Sequence, residues 1–194
     1  MVGATIRMPL VARRAFLTAA ASLPIALASG AAKATLLRGL TLPTLTSRSQ
    51  HVLLLSVLES RCRYAEIGGR RSIVTETLAS VSQVIHELEP SAARVSVCTL
   101  GGVLDGVGEL VHGQAEFAPG TSCLAFLCRA PDASLWVTGM AQGHYPLDTT
   151  LSEPALLASP HLPTIVEFER SAARALIGQR LSQARRLVLE ASRR

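Results

Sequence analysis

Five histidines and four cysteines carry most of the reactive side-chain chemistry in this chain of 194 residues. The histidines are His51, His86, His112, His144 and His161, and none falls in a His-x-His or His-Glu-x-x-His spacing. Such spacings matter because they put two imidazoles on one face of a strand or helix, where one ion can reach both. The cysteines Cys62, Cys98, Cys123 and Cys128 contain no Cys-x-x-Cys pair. The motifs therefore imply neither a metal nor a cofactor. No Gly-x-Ser-x-Gly elbow is present to raise a serine nucleophile. Acids are sparse and aromatics are only 4% of the chain, which gives no support to a paired-carboxylate glycosidase. What remains for acid–base or nucleophilic work is Asp105, His112 and His144, with a cysteine as the thiol. Chemistry from these residues depends on geometry that the fold must supply.

Asp105 and His112 lie in the most distinctive stretch of the chain, Gly101–Gly113, which holds five glycines. It lacks the Lys-Ser/Thr pair that grips phosphate and Mg²⁺, and its spacing is not Gly-x-Gly-x-x-Gly. Its glycines are read as devices for a loop or a bulged strand.

The cysteines admit three pairings. If 122–129 is a strand, Cys123 and Cys128 are about 16 Å apart and point to opposite faces, too far for a disulfide. Cys98 with Cys123 or Cys128, across neighbouring strands, is then the bond to look for. The alternative is a set of free thiols, including Cys62, that act as small apolar residues.

The elements that must position these residues are mostly strands. Val52–Leu58 is almost wholly Val and Leu, reads as a buried strand, and can continue to Tyr64. Gly68-Gly69 marks a turn, and Ser72–Leu88 reads as a long strand that bends. Arg94–Leu100 alternates, with Val95 and Val97 on one side and Ser96 on the other. Gln114–Phe117 is a short strand candidate, Ser122–Arg129 a buried strand, and Leu135–Met140 another. Short strands between regular turn signals predict a mainly β fold, a small antiparallel barrel or sandwich. The expected organisation is a lead-in over 35–50 broken at Pro43, a β domain over 51–146, and a Pro-rich surface connection over 147–163. A C-terminal α-helix over 164–192 follows, opened by a Thr164/Glu167 capping box. Its stripe of Ile165, Phe168, Ala172 and Leu176 resumes at Leu181, and its basic flank raises membrane contact as an alternative to packing on the sheet.

Gly101-Gly102, Phe117, Pro119-Gly120, Phe126-Leu127 and Gly139-Met140-Ala141-Gln142-Gly143 together resemble the pattern of an uncharacterised family of exported bacterial β proteins. The resemblance covers about 52–145. It implies a compact β domain behind a signal, with an OB-like barrel as one form, and carries no activity with it.

The amino terminus fits that implication. Arg7, Arg13 and Arg14 precede a mostly apolar run from Ala15 to Ala28, followed by small residues, and no acid occurs before Glu59. A basic start, an apolar middle and a small-residue end form an export signal. Arg13-Arg14-Ala15-Phe16-Leu17 resembles the twin-arginine motif, with Ala12 where Ser or Thr is usual and Thr18 where Lys is common. Cleavage is expected at Ala32-Lys33-Ala34. The resemblance implies the twin-arginine (Tat) translocase as partner, passage of a folded chain, and a periplasmic or secreted destination. An organellar transit peptide and retention as an uncleaved anchor are the competing readings.

Removing the signal changes the charge argument. The whole chain carries +5, of which Arg7, Arg13, Arg14 and Lys33 supply four, so the mature chain is nearly neutral. Only the last thirty residues cluster arginines, and they lack the aromatics that stack on bases. Nucleic acid is therefore not an expected partner, and no motif names another. Two classes of function follow: a non-enzymatic exported binding or structural module, or a small exported enzyme or redox protein using Cys or His beside residues 101–113.

Overall fold

The computed structural model describes residues 36–88 and 92–193. The motif residues Arg13, Arg14, Phe16 and Leu17 and the cleavage residues Ala32 and Ala34 lie outside the described residues. A two-residue strand, β1 (Leu37–Arg38), leads into a short helix, α1 (Leu42–Ser47). The Thr41 side chain caps α1 by accepting the Thr44 N–H at 3.3 Å. Pro43, expected to break this lead-in, sits in the first turn, where a missing N–H costs nothing. Proline here starts a helix.

Branched and leucine-rich runs then build two long strands, β2 (His51–Ile67) and β3 (Arg70–Glu87), joined at Gly68-Gly69 with both φ angles positive. Along β2 the side chains alternate: Leu53, Leu55 and Val57 enter one core, while Val52 enters another. Register shifts after Val52, Leu54 and Val57 bend the pair, so one long hairpin can curl. The chain continues through β4 (Arg94–Leu100), the small strands β5 (Gly102–Leu104) and β6 (Val107–Glu109), then β7 (Ser122–Arg129) and β8 (Leu135–Val137). After a 3₁₀ turn at Met140–Gly143 come β9 (His144–Asp148), β10 (Ala155–Leu156) and β11 (Ile165–Val166).

The sheet closes on itself unevenly. β2 pairs with β3, β3 with β4, β4 with β8, β8 with β7, and β7 returns to β2. Only β4–β8 is parallel in this circuit. Inside the circuit Leu53, Leu55, Val97, Ala125, Leu127 and Val137 form one core. Outside it, Val52, Leu124, Phe126, Tyr145 and Leu156 form a wall that the helices cover. The fold is thus mainly β with a C-terminal helix, as the strand pattern implies.

Three expectations are corrected. Gln114–Phe117 forms no strand; it is extended chain whose Ala115 and Phe117 enter the inner core. The Pro-rich stretch 147–163 is not merely a surface connection: Leu156 is fully buried and pairs, as part of β10, with β9. The helix expected over 164–192 is broken into pieces. Ile165 and Val166 pair in parallel with Leu37 and Arg38, and Glu167 adopts φ 61°, so no capping box forms. β-branched residues there find a strand partner from the start of the described chain, which outcompetes a local helix signal. The true cap is Ser171, whose Oγ accepts the Arg174 N–H at 3.2 Å and opens α2 (Ala172–Leu176). Gly178 then turns the chain with φ 81° before α3 (Leu181–Ala191). Ala184, Val188 and Ala191 of α3 are buried in the outer core, so its apolar stripe already faces protein.

Candidate functional site

The glycine-rich stretch folds as the β5–β6 hairpin. Asp105 and Gly106 have φ 53° and 76°, the signature of a two-residue type I′ turn, in which Asp-Gly is favoured. Asp105 is therefore a turn residue at an exposed tip. At its root the hairpin lies hard against β2 and β3. A Cβ on Gly102 would stand 2.6 Å from both Cys62 Sγ and Thr75 Oγ1, and φ there is +134°. Close approach, rather than phosphate binding, accounts for the glycine pair. Three hydrogen bonds staple the root to β3. Thr75 Oγ1 donates to the Gly101 carbonyl at 2.7 Å, Gly101 N–H donates to the Ile73 carbonyl at 2.8 Å, and Ile73 N–H donates to Glu109 Oε2 at 2.6 Å.

Beside this hairpin runs an open groove of about 1100 Å³. One wall is the hairpin and its continuation, including Val103, Gly108 and Leu110; the opposite wall is the segment from His161 to Thr164. Thr75, Thr99 and Phe117 contribute to the lining between them. Val103 and Leu110 are 71% and 74% exposed. The hydrophobic effect disfavours leaving such side chains in water, and their position along one groove gives that exposure a use.

The far wall is held by a buried histidine. His144 is almost fully buried, and its Nδ1 lies 3.0 Å from Ser159 Oγ. The Ser159 carbonyl in turn accepts the Leu162 N–H at 3.0 Å, which roots the turn carrying His161 and Pro163. The imidazole also packs on Phe117, ring centroids 4.6 Å apart. Burial lowers its pKa to about 4, so the ring is neutral at neutral pH. His144 is a pin beneath the groove and is not among its lining residues.

At the rim, His161 Nε2 lies 2.6 Å from Glu116 Oε2, with side chains 53% and 61% exposed. Nothing in the sequence marks this pair, because the two residues are far apart and belong to no motif. Only the folding of both segments onto the groove brings them together.

The three chemistry candidates are thus placed apart in role. His112 lines the groove, Asp105 forms the hairpin turn, and His144 lies below. The four thiols are free. Cys98 and Cys128 do not sit on neighbouring strands, because β8 runs between them and both residues are in register with Trp136. Two strand spacings, roughly 9–10 Å, exceed the Cα separation a disulfide allows. Cys123 faces the inner core, while Cys128 points to the other face, as the strand geometry requires. Burial pushes the Cys123 thiol up to about 12 and raises that of Cys98, where Glu76 adds to the effect. Neither is a thiolate at neutral pH, which is the form a nucleophile needs. Among the described residues no three His, Cys, Asp or Glu side chains gather as a metal-binding group.

The Gly-Met-Ala-Gln-Gly stretch serves the same architecture. Buried Gln142 accepts the Leu40 N–H at 2.9 Å and donates to the Arg38 carbonyl at 3.1 Å, which ties β1 and its following loop to the closed sheet. A Cβ on Gly143 would stand 2.2 Å from the Thr138 carbonyl oxygen. Ala141 N–H donates to the Gly113 carbonyl at 2.8 Å, linking this turn to the groove wall. Comparison with known proteins finds no matching family model, no similar curated protein and no similar solved structure.

Proposed function

We propose that this is an exported, non-enzymatic binding module that holds its ligand in the groove between the β5–β6 hairpin and residues 161–164. The observation that carries the reading is the groove itself, a large open channel flanked by exposed Val103 and Leu110. Its lining combines apolar surface with a few polar side chains, the usual composition of a ligand site. The sites most suited to nucleophilic chemistry, by contrast, are buried or dispersed: Cys98 and Cys123 lie in protein, and Asp105 serves the turn.

The closed circuit supports an OB-like domain as the finer description of the fold. Domains of that kind bind ligands on the face of their second and third strands and the adjoining loops. Here β3 and β4 are the second and third strands of the circuit, and Thr75 and Thr99 on them line the groove. Lys and Arg are missing from the described lining, which argues against a nucleic-acid backbone as ligand. Export rests on the twin-arginine pattern at Arg13-Arg14 and the small residues at Ala32 and Ala34. Among the described residues no helix is long and apolar enough to cross a membrane.

Backbone amide NMR during a screen of small amphiphilic compounds tests the site. Shifts should concentrate on residues 101–117 and 161–164. Shifts scattered over the surface, or none, would remove the groove as the binding site. Amino-terminal sequencing of exported protein should find a start near Thr35, and a full-length chain retained in the cytoplasm would refute the export reading.

A further inference from the structure

Gly108 has no internal reason to be glycine. Its φ lies outside the left-handed range, and a Cβ there would meet nothing closer than Val103 Cγ2 at 4.0 Å. Glycine weakens a strand through its conformational entropy and its missing side chain, so an unforced glycine on a strand often marks the close approach of a ligand or another backbone. Gly108 is paired with Val103 in register and lines the groove with it. Cross-strand partners share a face, so a side chain at position 108 would project into the groove beside Val103.

The hydrogen-bond pattern of the hairpin adds a second feature. Leu104 and Val107 flank the two-residue turn and form the hydrogen-bonded pair; Val103 and Gly108 are then the next, non-hydrogen-bonded pair. The N–H and C=O of Gly108 therefore point away from β5, toward the outer edge of β6, and β6 pairs with no other strand among the described residues. Free edges of this kind accept extended chains.

Charge gives the occupant its chemistry. The described cations of this chain are otherwise arginines, with the histidines, yet no Arg lines the groove. Its carboxylates are Glu109, already accepting from Ile73 N–H, and Glu116, which meets His161 at the rim. A carboxylate accepts more than one hydrogen bond, so Glu116 can take a second donor.

We infer that the β6 edge and the groove receive an extended peptide from another protein, carrying a basic side chain with apolar ones two positions away on either side, so that all three face the groove. Its main chain adds beside Gly108, an apolar side chain lies over the bare glycine against Val103, and the cation reaches Glu116. This rests on the groove being the binding site, and it adds the ligand class.

The test uses the full chain, with a blocked pentapeptide of sequence Val-Thr-Arg-Thr-Val as probe, followed by backbone amide NMR and calorimetry. Binding should shift Gly108 and Glu109 and weaken at least about tenfold when the central Arg becomes Gln, the scale expected of a charge-assisted contact. N-methylation of the peptide backbone should abolish it. Gly108→Val fills open space on a strand and should retain or raise stability while losing the peptide. Glu116→Gln should cancel the preference for Arg over Gln. Equal binding of the Arg, Gln and Glu peptides, or full binding by Gly108→Val, overturns the inference. Concentration-dependent self-association through Gly108 would assign the edge to a second copy and also overturn it. If amphiphilic compounds shift the groove but no peptide does, the peptide inference falls and the groove remains the binding site; if neither does, both fall.

Discussion

Acidification should loosen the groove through His144. The folded protein holds this imidazole neutral, with its pKa lowered from 6.5 to about 4 by burial. The unfolded chain takes up the proton first as pH falls below 6.5, so stability rises with pH across the window between the two values. The contribution is fully present above about pH 6.5 and is lost progressively down to about pH 4. With those two values the loss from this one residue is about 2 kcal/mol by pH 5 and about 3 kcal/mol by pH 4. Either is a large part of the ~5–15 kcal/mol that holds a typical domain. Denaturant titrations at pH 7, 5 and 4 should be compared for the wild type and His144→Asn. Asn does not titrate, and its amide can still face Ser159. The variant loses stability at pH 7 through imperfect packing, so the pH slope is the diagnostic. Wild type should lose about 2 kcal/mol more than the variant between pH 7 and 5. Exposed carboxylates such as Asp132, Asp148 and Glu153 titrate in both proteins and cancel. The protection factor of the Leu162 amide, which bonds to the Ser159 carbonyl at 3.0 Å, should fall in the wild type over the same range and stay level in the variant. Parallel pH profiles for the two proteins would refute the role given to His144.

Two further outcomes follow from close contacts. Gly102→Ala places a Cβ 2.6 Å from Cys62 Sγ and Thr75 Oγ1 at a φ of +134°; a loss of about 1–3 kcal/mol is expected from the strain, read by urea unfolding, and an unchanged midpoint would show that the hairpin does not sit as described. Gln142→Leu leaves the Leu40 N–H and Arg38 carbonyl without the amide that now serves both; a loss of about 1–3 kcal/mol per orphaned group is the expectation, with faster exchange at the Leu40 amide, and protected exchange there would refute the tie.

Strand positions were legible where local pattern and tertiary role coincide. The alternation of Val95, Ser96 and Val97 is the alternation of β4 across the closed sheet, and the apolar run at Val52 is buried because both faces of that strand meet protein. A single helix over 164–192 does not form because the decisive partner is distant. Thr164 and Glu167 have helix-start types, but Leu37 and Arg38 supply a strand partner for Ile165 and Val166 that no local window contains. Pro43 shows the opposite case, a purely local one: a breaker inside a helix is harmless in its first turn. Cys98 and Cys128 are not neighbours because β8 lies between their strands, and the order of strands around a closed sheet cannot be read from spacing.

The same distinction governs the site. Glycine density correctly marked one wall of the groove, because close approach and tight turns leave a compositional trace. The other wall leaves none: His161 and Glu116 are ordinary residues until Ser159 and His144 fix the turn between them. The most reactive-looking side chains have become structural, with His144 neutral under Phe117 and Cys123 sealed in the inner core. The groove is instead lined by Val103, Gly108, Leu110 and Glu116, among others. The proposed binding role draws on this arrangement: recognition needs exposed shape and a few placed charges, and the groove offers the first in Val103 and Leu110 and the second in the His161–Glu116 pair.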